Sequence, residues 1–144
     1  MKTSVWAVGV ASVVLGAWVA SAGAAGQVTQ GKTRPAATKY LMRGVLQPHC
    51  KSIGDLVKGQ SPAGDEGWET IRCHASCLNE MSYALVQDGR CPDGTWAGAA
   101  KALGENSAAV LAAAGAKDFE GVKKAFQGVT ASCKSCHDAH RKKN

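Results

Sequence analysis

The sequence predicts an all-α protein that folds as an antiparallel four-helix bundle. Three observations support this fold class. Apolar side chains recur at intervals of three and four along four stretches, which is the spacing of one helix face. The connections between these stretches are short and rich in glycine, proline and aspartate, which favours antiparallel neighbours. No stretch shows the alternating apolar pattern of a strand.

The start of the chain has the order of a secretory signal peptide. Lys2 precedes an apolar centre at 5–19, and small residues follow it. Cleavage after Ala22 or Ala24 fits the usual small-residue rule, while an uncleaved membrane anchor is the alternative, since the uncharged run is long enough to span. The expected organisation is a signal peptide at 1–24, a flexible leader at 25–34 and one bundle domain at 35–144. We expect export to the periplasm.

The first helix is predicted to begin at Pro35 and to end at Gly59. Its apolar stripe is interrupted by Pro48, which lacks an amide hydrogen and clashes with the preceding turn. We therefore expect a kink between Gly44 and Pro48.

The remaining three helices are bounded by recognisable end signals. The second is predicted at 66–87, with Gly89 just beyond its end. The third extends from a cap at Thr95 to about Ala114, and it is rich in alanine. A fourth, capped by Asp118, continues to about residue 141 and carries its apolar stripe inward.

The last helix contains the sequence C-x-x-C-H, the attachment signature of a c-type haem. Its members are Cys133, Cys136 and His137, and helical spacing brings all three to one face. With six cysteines and four histidines in the chain, random order would give roughly 0.007 such motifs. We expect one covalent haem c, bonded through the two cysteines and held at iron by His137 as proximal ligand.

Two other interpretations of the motif remain open. A thioredoxin-like dithiol expects a βαβ context, whereas these surroundings are helical. A structural zinc site needs four ligands, for which Cys73, His74 and Cys77 are the available additions. Export to an oxidising compartment favours haem attachment. It also accounts for four further cysteines in a short chain.

The chain is basic, with a formal net charge of +6. Much of this charge lies near the motif, at Lys134, Arg141, Lys142 and Lys143. A positive rim there would steer an acidic redox partner. Nucleic acid is not an expected partner, because the basic residues are few and are not interleaved with aromatic residues.

The segment 131–143 resembles the C-terminal haem helix of the cytochrome c-prime family in position, spacing and following charges. The segment 40–43 is similar to that family's first helix, so the resemblance covers 35–143. The resemblance implies a four-helix bundle with haem c on the last helix and Arg141 near the haem. It also implies that the protein can form a homodimer. His140 departs from the pattern, because the family usually has tyrosine there.

The resemblance implies two kinds of haem iron. Members with an apolar residue on the first helix stay five-coordinate and bind nitric oxide or carbon monoxide, whereas members with methionine there are low-spin and suited to electron transfer. Met42 lies near that position as a distal ligand. Counting back from Lys58 gives Arg43 instead, so a one-residue adjustment near Pro48 is required. His49, about two turns away, is another candidate.

We expect an electron carrier and not an enzyme, because the chain shows no acid-base or nucleophile constellation. The alternative is a five-coordinate protein that binds nitric oxide or carbon monoxide. A third hypothesis is a small binding module without haem.

The remaining cysteines indicate a disulfide-bearing branch of the family. We expect a bridge between Cys50 and Cys91, although four cysteines allow three connectivities. Cys73 and Cys77 lie one turn apart on one helix, where a bridge is strained, so they are expected to be buried thiols. His74 and His140 are expected at the surface or in hydrogen bonds.

Overall fold

The computed structural model describes residues 35–59, 62, 64–87 and 89–141. The predicted leader at 1–34 and the basic residues Lys142 and Lys143 lie outside this part. The described residues form helices and no strand, as the sequence predicts. The helical elements are α1 at Thr38–Leu41, a π-helical segment at Met42–Leu46, α2 at Gln47–Val57, α3 at Gly64–Ala84, α4 at Gly94–Gly115 and α5 at Phe119–His140.

The first helix of the bundle is α1, the π-helical segment and α2 in continuous order. Near the expected kink the helix is π-helical, and the amide of Gln47 donates to the carbonyl of Met42, five residues back. Pro48 follows at the start of α2, and it has no hydrogen to donate to Gly44. A wider turn accommodates the proline, and it contains one more residue than an α-helical turn.

The core lies between the four helices. Leu46 from the π-helical segment and Leu85 beside the end of α3 are both almost fully buried at its edge. Fully buried side chains come from every long helix, namely Ile53, Ile71, Leu78, Val110, Val122 and Val129. No helix among the described residues is long and apolar enough to cross a membrane.

Helices α3, α4 and α5 pack closely, and we call them the three-helix unit. Small residues allow this approach: a Cβ at Gly104 would lie 2.6 Å from Ser82 Oγ, between α4 and α3. A Cβ at Gly128 would lie 2.0 Å from the side-chain oxygen of Asn106, between α5 and α4. The backbones of the three helices are therefore held near one another with little room between them.

The helix ends are set by side-chain caps. Asp118 accepts a hydrogen bond from the amide of Gly121 at 2.9 Å, which confirms the predicted cap of α5. The cap of α4 is Asp93 and not Thr95, because Asp93 Oδ1 accepts from the amide of Trp96 at 2.9 Å. The two caps satisfy amides that have no partner inside the helix.

Candidate functional site

A large cavity opens between the first helix and the helices α4 and α5. Its volume is about 1010 Å³, at the upper end of the range of about 300–1,000 Å³ for small-molecule sites. Most of the lining is apolar and comes from Leu46, Leu85, Ala99, Ala100, Leu103 and Phe126. A cavity of this size and character suits a large, flat, mainly apolar ligand.

The structure brings all three residues of the C-x-x-C-H motif to this cavity. Cys133, Cys136 and His137 line its wall from the last two turns of α5. Cys136 is buried, and the other two are half-buried. Burial and the negative charge of Asp93 raise the pKa of the Cys136 thiol. The donor set is therefore two thiols and one imidazole on a single helix face beside an apolar space, as covalent attachment of a haem requires.

The first helix supplies the facing part of the lining. Met42, at the start of the π-helical segment, is partly buried, packs against the core and lines the cavity. Arg43 reaches the cavity edge but is exposed. A π-helical turn contains one residue more than an α-helical turn, which equals the difference in register between Met42 and Arg43.

His49 is not among the residues that line the cavity. Its Nδ1 lies 2.7 Å from Nδ1 of His74 on α3, so one ring donates a hydrogen bond and the other accepts it. Burial and the neighbouring charge of His49 lower the pKa of His74. The pair links α2 to α3, and this connection was not evident from the sequence because the two residues are far apart in the chain.

His140 does line the cavity, in the position where the sequence departs from the family pattern. Its ring packs edge-on against Trp96, with the ring centroids 5.3 Å apart. Its Nε2 lies 3.4 Å from Asp93 Oδ1. Trp96 in turn donates from Nε1 to the carbonyl of Leu85 at 2.7 Å. His140 and Trp96 therefore line the cavity side by side, at a position where the resembled family usually has tyrosine.

The six cysteines are free thiols in this structure, so the predicted bridge between Cys50 and Cys91 is not formed. The reason is their placement: Cys91 is buried in the connection before α4, with its thiol 3.4 Å from the carbonyl of Asp93. Cys50 instead lines the cavity, and an interaction with the Cys133 thiol lowers its pKa to about 7.

The place of Cys50 in the cavity lining was missed by sequence reasoning. One signal for it was available, because Cys50 follows Met42 by about two helical turns and so shares its face.

The structure does not bring together the residues of the alternative zinc site. Within the described residues, no three or more His, Cys, Asp or Glu side chains are grouped to hold a metal ion. Cys73 is exposed and not buried as expected, because its side of α3 faces outward. Cys77 is half-buried on the same helix.

Basic side chains surround the opening of the cavity. Those that line it are Lys39, Arg43, Lys51, Lys58 and Arg141. Asp55 lies among them, and hydrogen bonds from Lys51 and Lys58 lower its pKa. The rim is consequently positive on balance.

Comparisons with known proteins agree with this arrangement. Residues 93–141 match the family model described as Cytochrome C'. Over 112 residues the chain is 32% identical to the cytochrome c' of Alcaligenes xylosoxydans xylosoxydans, and the match covers 69% of this chain and 86% of that relative. No solved structure matches significantly. The segment matched by the family model contains α4, α5 and the whole motif.

Proposed function

The chain belongs to the cytochrome c' family, and on that premise we propose that it is an exported, periplasmic carrier of single electrons with one haem. Proteins of this family bind one covalent haem c. They are generally haem carriers or gas-binding proteins and not classical enzymes. When bound, haem c supplies an iron that alternates between its ferric and ferrous states. The proposal includes removal of residues 1–24 as a signal peptide and a bundle domain at 35–144.

The motif on α5 is the proposed attachment site. Cys133 and Cys136 would form the thioethers, and His137 would bind iron on the proximal side. The support is the joint position of the three side chains on one cavity wall and the apolar lining around them. Arg141 lines the same cavity from just beyond α5, which agrees with a place near the haem.

The single observation that favours electron transfer is the π-helical segment at Met42–Leu46. It accompanies a partly buried Met42 that lines the cavity, while Arg43 remains exposed at the edge. A thioether is a soft ligand that raises the reduction potential of haem iron. With Met42 as distal ligand, the chain would belong to the low-spin, methionine-ligated branch.

The positive rim is the proposed contact surface for a redox partner with an acidic docking surface. Opposite charge speeds diffusional encounter without requiring tight binding, which suits repeated electron exchange. Cytochromes c' are often dimeric, and a homodimer is consistent with a rim on each copy.

The test compares Met42→Ala with Met81→Ala in the haem-loaded protein. Both methionines are partly buried and pack against the core, but Met81 does not line the cavity. We expect Met42→Ala to convert the haem to a high-spin form, to lower its reduction potential and to permit carbon monoxide binding. Met81→Ala should leave the spectrum and the potential unchanged.

The opposite spectra would favour the gas-binding alternative. If the unaltered ferrous protein is high-spin and binds carbon monoxide at once, Met42 is not a ligand. The apolar side chains of Leu46, Leu103 and Phe126 would then form a pocket for nitric oxide or carbon monoxide. An unchanged low-spin spectrum in Met42→Ala would instead assign the sixth position to another side chain.

A further inference from the structure

The histidine pair between α2 and α3 has no part in the proposed haem site. Nδ1 of His49 and Nδ1 of His74 lie 2.7 Å apart. Both rings are half-buried, and neither lines the cavity. The two residues are 25 positions apart in the chain and lie on different helices, so the pair exists only when α2 packs on α3.

We propose that this pair is a binding site for a divalent copper or nickel ion, which clamps the first helix onto α3. The two Nδ1 atoms would be the protein ligands. Imidazole suits both metals, and a given set of donors binds copper(II) more tightly than nickel(II). The site is separate from the haem cavity, and the inference does not rest on the proposed function.

The spacing of the two nitrogens selects the geometry of the ion. Metal–imidazole bonds of about 2.0 Å that meet at a right angle separate the two nitrogens by about 2.8 Å, whereas tetrahedral bonds of that length separate them by about 3.3 Å. The observed separation of 2.7 Å is close to the first value. Adjacent positions at a right angle are typical of the square-planar and tetragonal sites that bind copper(II) or nickel(II).

Binding requires a change in ring orientation and the movement of one proton. The ring centroids are 5.0 Å apart and the ring planes are inclined by 50°, so the two Nδ1 atoms face each other end to end. The torsion about the Cβ–Cγ bond of histidine is broad, and rotation about it would turn both lone pairs toward one ion. The ring that donates the hydrogen bond would move that proton from Nδ1 to Nε2, and no proton would be released.

Water would complete the coordination of the ion. Within the described residues, no group of three or more His, Cys, Asp or Glu side chains is placed to hold a metal, so the protein supplies two ligands. The basic residues that come next along the two helices are Lys51 and Arg72. Each pairs with a carboxylate, Lys51 with Asp55 and Arg72 with Glu69, so the positive charge on these helices is compensated where a cation would bind.

Nickel(II) is the probe for the site, because it does not oxidise free thiols as copper(II) does. The untagged, haem-loaded chain is dialysed to equilibrium against nickel(II) at neutral pH, and the bound metal is measured. We expect saturation at one ion per chain. No saturable binding would overturn the inference.

Three variants identify the ligands. Because loss of an outer-shell partner already costs about 10-fold to 100-fold in metal affinity, His49→Gln and His74→Gln should each weaken nickel binding by about tenfold or more. His140→Gln removes another half-buried imidazole and is the matched control, which should bind nickel as the unaltered chain does. Unchanged binding in either of the first two variants would overturn the inference.

X-ray absorption at the nickel edge tests the ligands in the unaltered protein and so does not depend on the folding of a variant. Cys73 is adjacent to His74, and Cys77 follows it on the same helix, so their thiols are the main competing ligands. We expect two imidazole rings per nickel and oxygen in the remaining positions. A sulfur neighbour, or a single imidazole ring, would overturn the inference.

The clamp is tested by urea unfolding with and without excess nickel(II). An ion that binds the folded state and not the unfolded chain stabilises the fold. We expect nickel(II) to raise the urea midpoint of the unaltered protein and of His140→Gln, and to leave that of His74→Gln unchanged. An equal rise in all three proteins would show that the ion does not join the first helix to α3, and it would overturn the inference.

Discussion

The three-helix unit and the first helix differ in how closely they are held. In the three-helix unit, glycines such as Gly104 and Gly128 face side chains of the neighbouring helix at short range, and the helices are uninterrupted. The first helix contains a π-helical segment and borders the cavity along much of its length. The bundle therefore combines a closely packed frame with one helix whose irregularity forms the site.

This difference bears on the proposed ligands, because they lie in different regions. His137 and both motif cysteines lie on α5, whose position is set by its packing against α4. Met42 lies on the first helix, whose position depends on fewer neighbours. On the proposed assignment, the position of the proximal ligand would be set by the frame, whereas that of the distal ligand would depend on the register of one interrupted helix.

The largest expected effect comes from a matched pair of core truncations. Ile71 in α3 and Ile53 in α2 are both fully buried. Truncation to alanine costs about 2 to 5 kcal/mol in protein cores, and the cost falls when the surroundings relax into the space. We expect Ile71→Ala to reduce the free energy of unfolding by about 4 kcal/mol and Ile53→Ala by about 2 kcal/mol.

Urea unfolding of the haem-loaded protein measures both values. Equal losses would contradict the comparison, because they would show that α2 is held as firmly as α3.

A smaller effect on stability, but a large one on the spectrum, is expected for Pro48→Ala. Alanine restores an amide that is able to donate to Gly44 and so favours an unbroken α-helix. If the π-helical turn became α-helical, Met42 would be rotated by about 100° about the helix axis relative to α2. We expect part of the protein to become high-spin, while the free energy of unfolding changes by about 1 kcal/mol or less.

The control is Pro92→Ala, which replaces an exposed proline in the connection before α4. A fully low-spin spectrum for Pro48→Ala would show that Met42 does not depend on the π-helical segment.

The smallest expected effect concerns the histidine pair between α2 and α3. The pKa of His74 is lowered in the folded state by burial and by His49, so the neutral ring is favoured there. Its contribution to stability is present above the unfolded pKa of about 6.5, and it is lost as pH falls through the lower folded value. We expect a modest decrease in unfolding free energy between pH 8 and pH 5.

Replacement by His74→Gln should flatten that decrease, as measured by urea unfolding across the same pH range. The measurements stop at pH 5 so that Asp55 and Asp65 stay ionised. Their pKa values are lowered, so they affect stability only in more acidic solution. If the free energies of unfolding of the unaltered protein and of His74→Gln change in parallel with pH, the histidine pair does not stabilise the packing of the first helix on the three-helix unit.

Much of the frame was predictable from local sequence patterns. Periodic apolar residues located all four helices, Asp118 was identified as a cap, and the C-x-x-C-H motif gave the cavity wall on α5. These features depend on residues that are close together in the chain. An irregularity before Pro48 was also predicted, but its form as a π-helical segment depends on how the proline is accommodated.

Contacts between distant segments were less accessible. Sequence reasoning expected a bridge from Cys50 to Cys91, but Cys50 lines the cavity whereas Cys91 is buried in the connection before α4. Similarly, the bond between His49 and His74 requires the packing of α2 on α3. The cap at Asp93 was missed because Thr95, two residues later, is an equally good capping type.

The extra residue in the π-helical segment also has an evolutionary consequence. Removing one residue from 42–46 would return the turn to α-helical geometry and leave α2 and the three-helix unit in place. Such a deletion changes which side chain of the first helix faces the cavity without replacing any of them. Deletion of one codon, without any point substitution, would then bring an arginine instead of a methionine to the side of the first helix opposite α5.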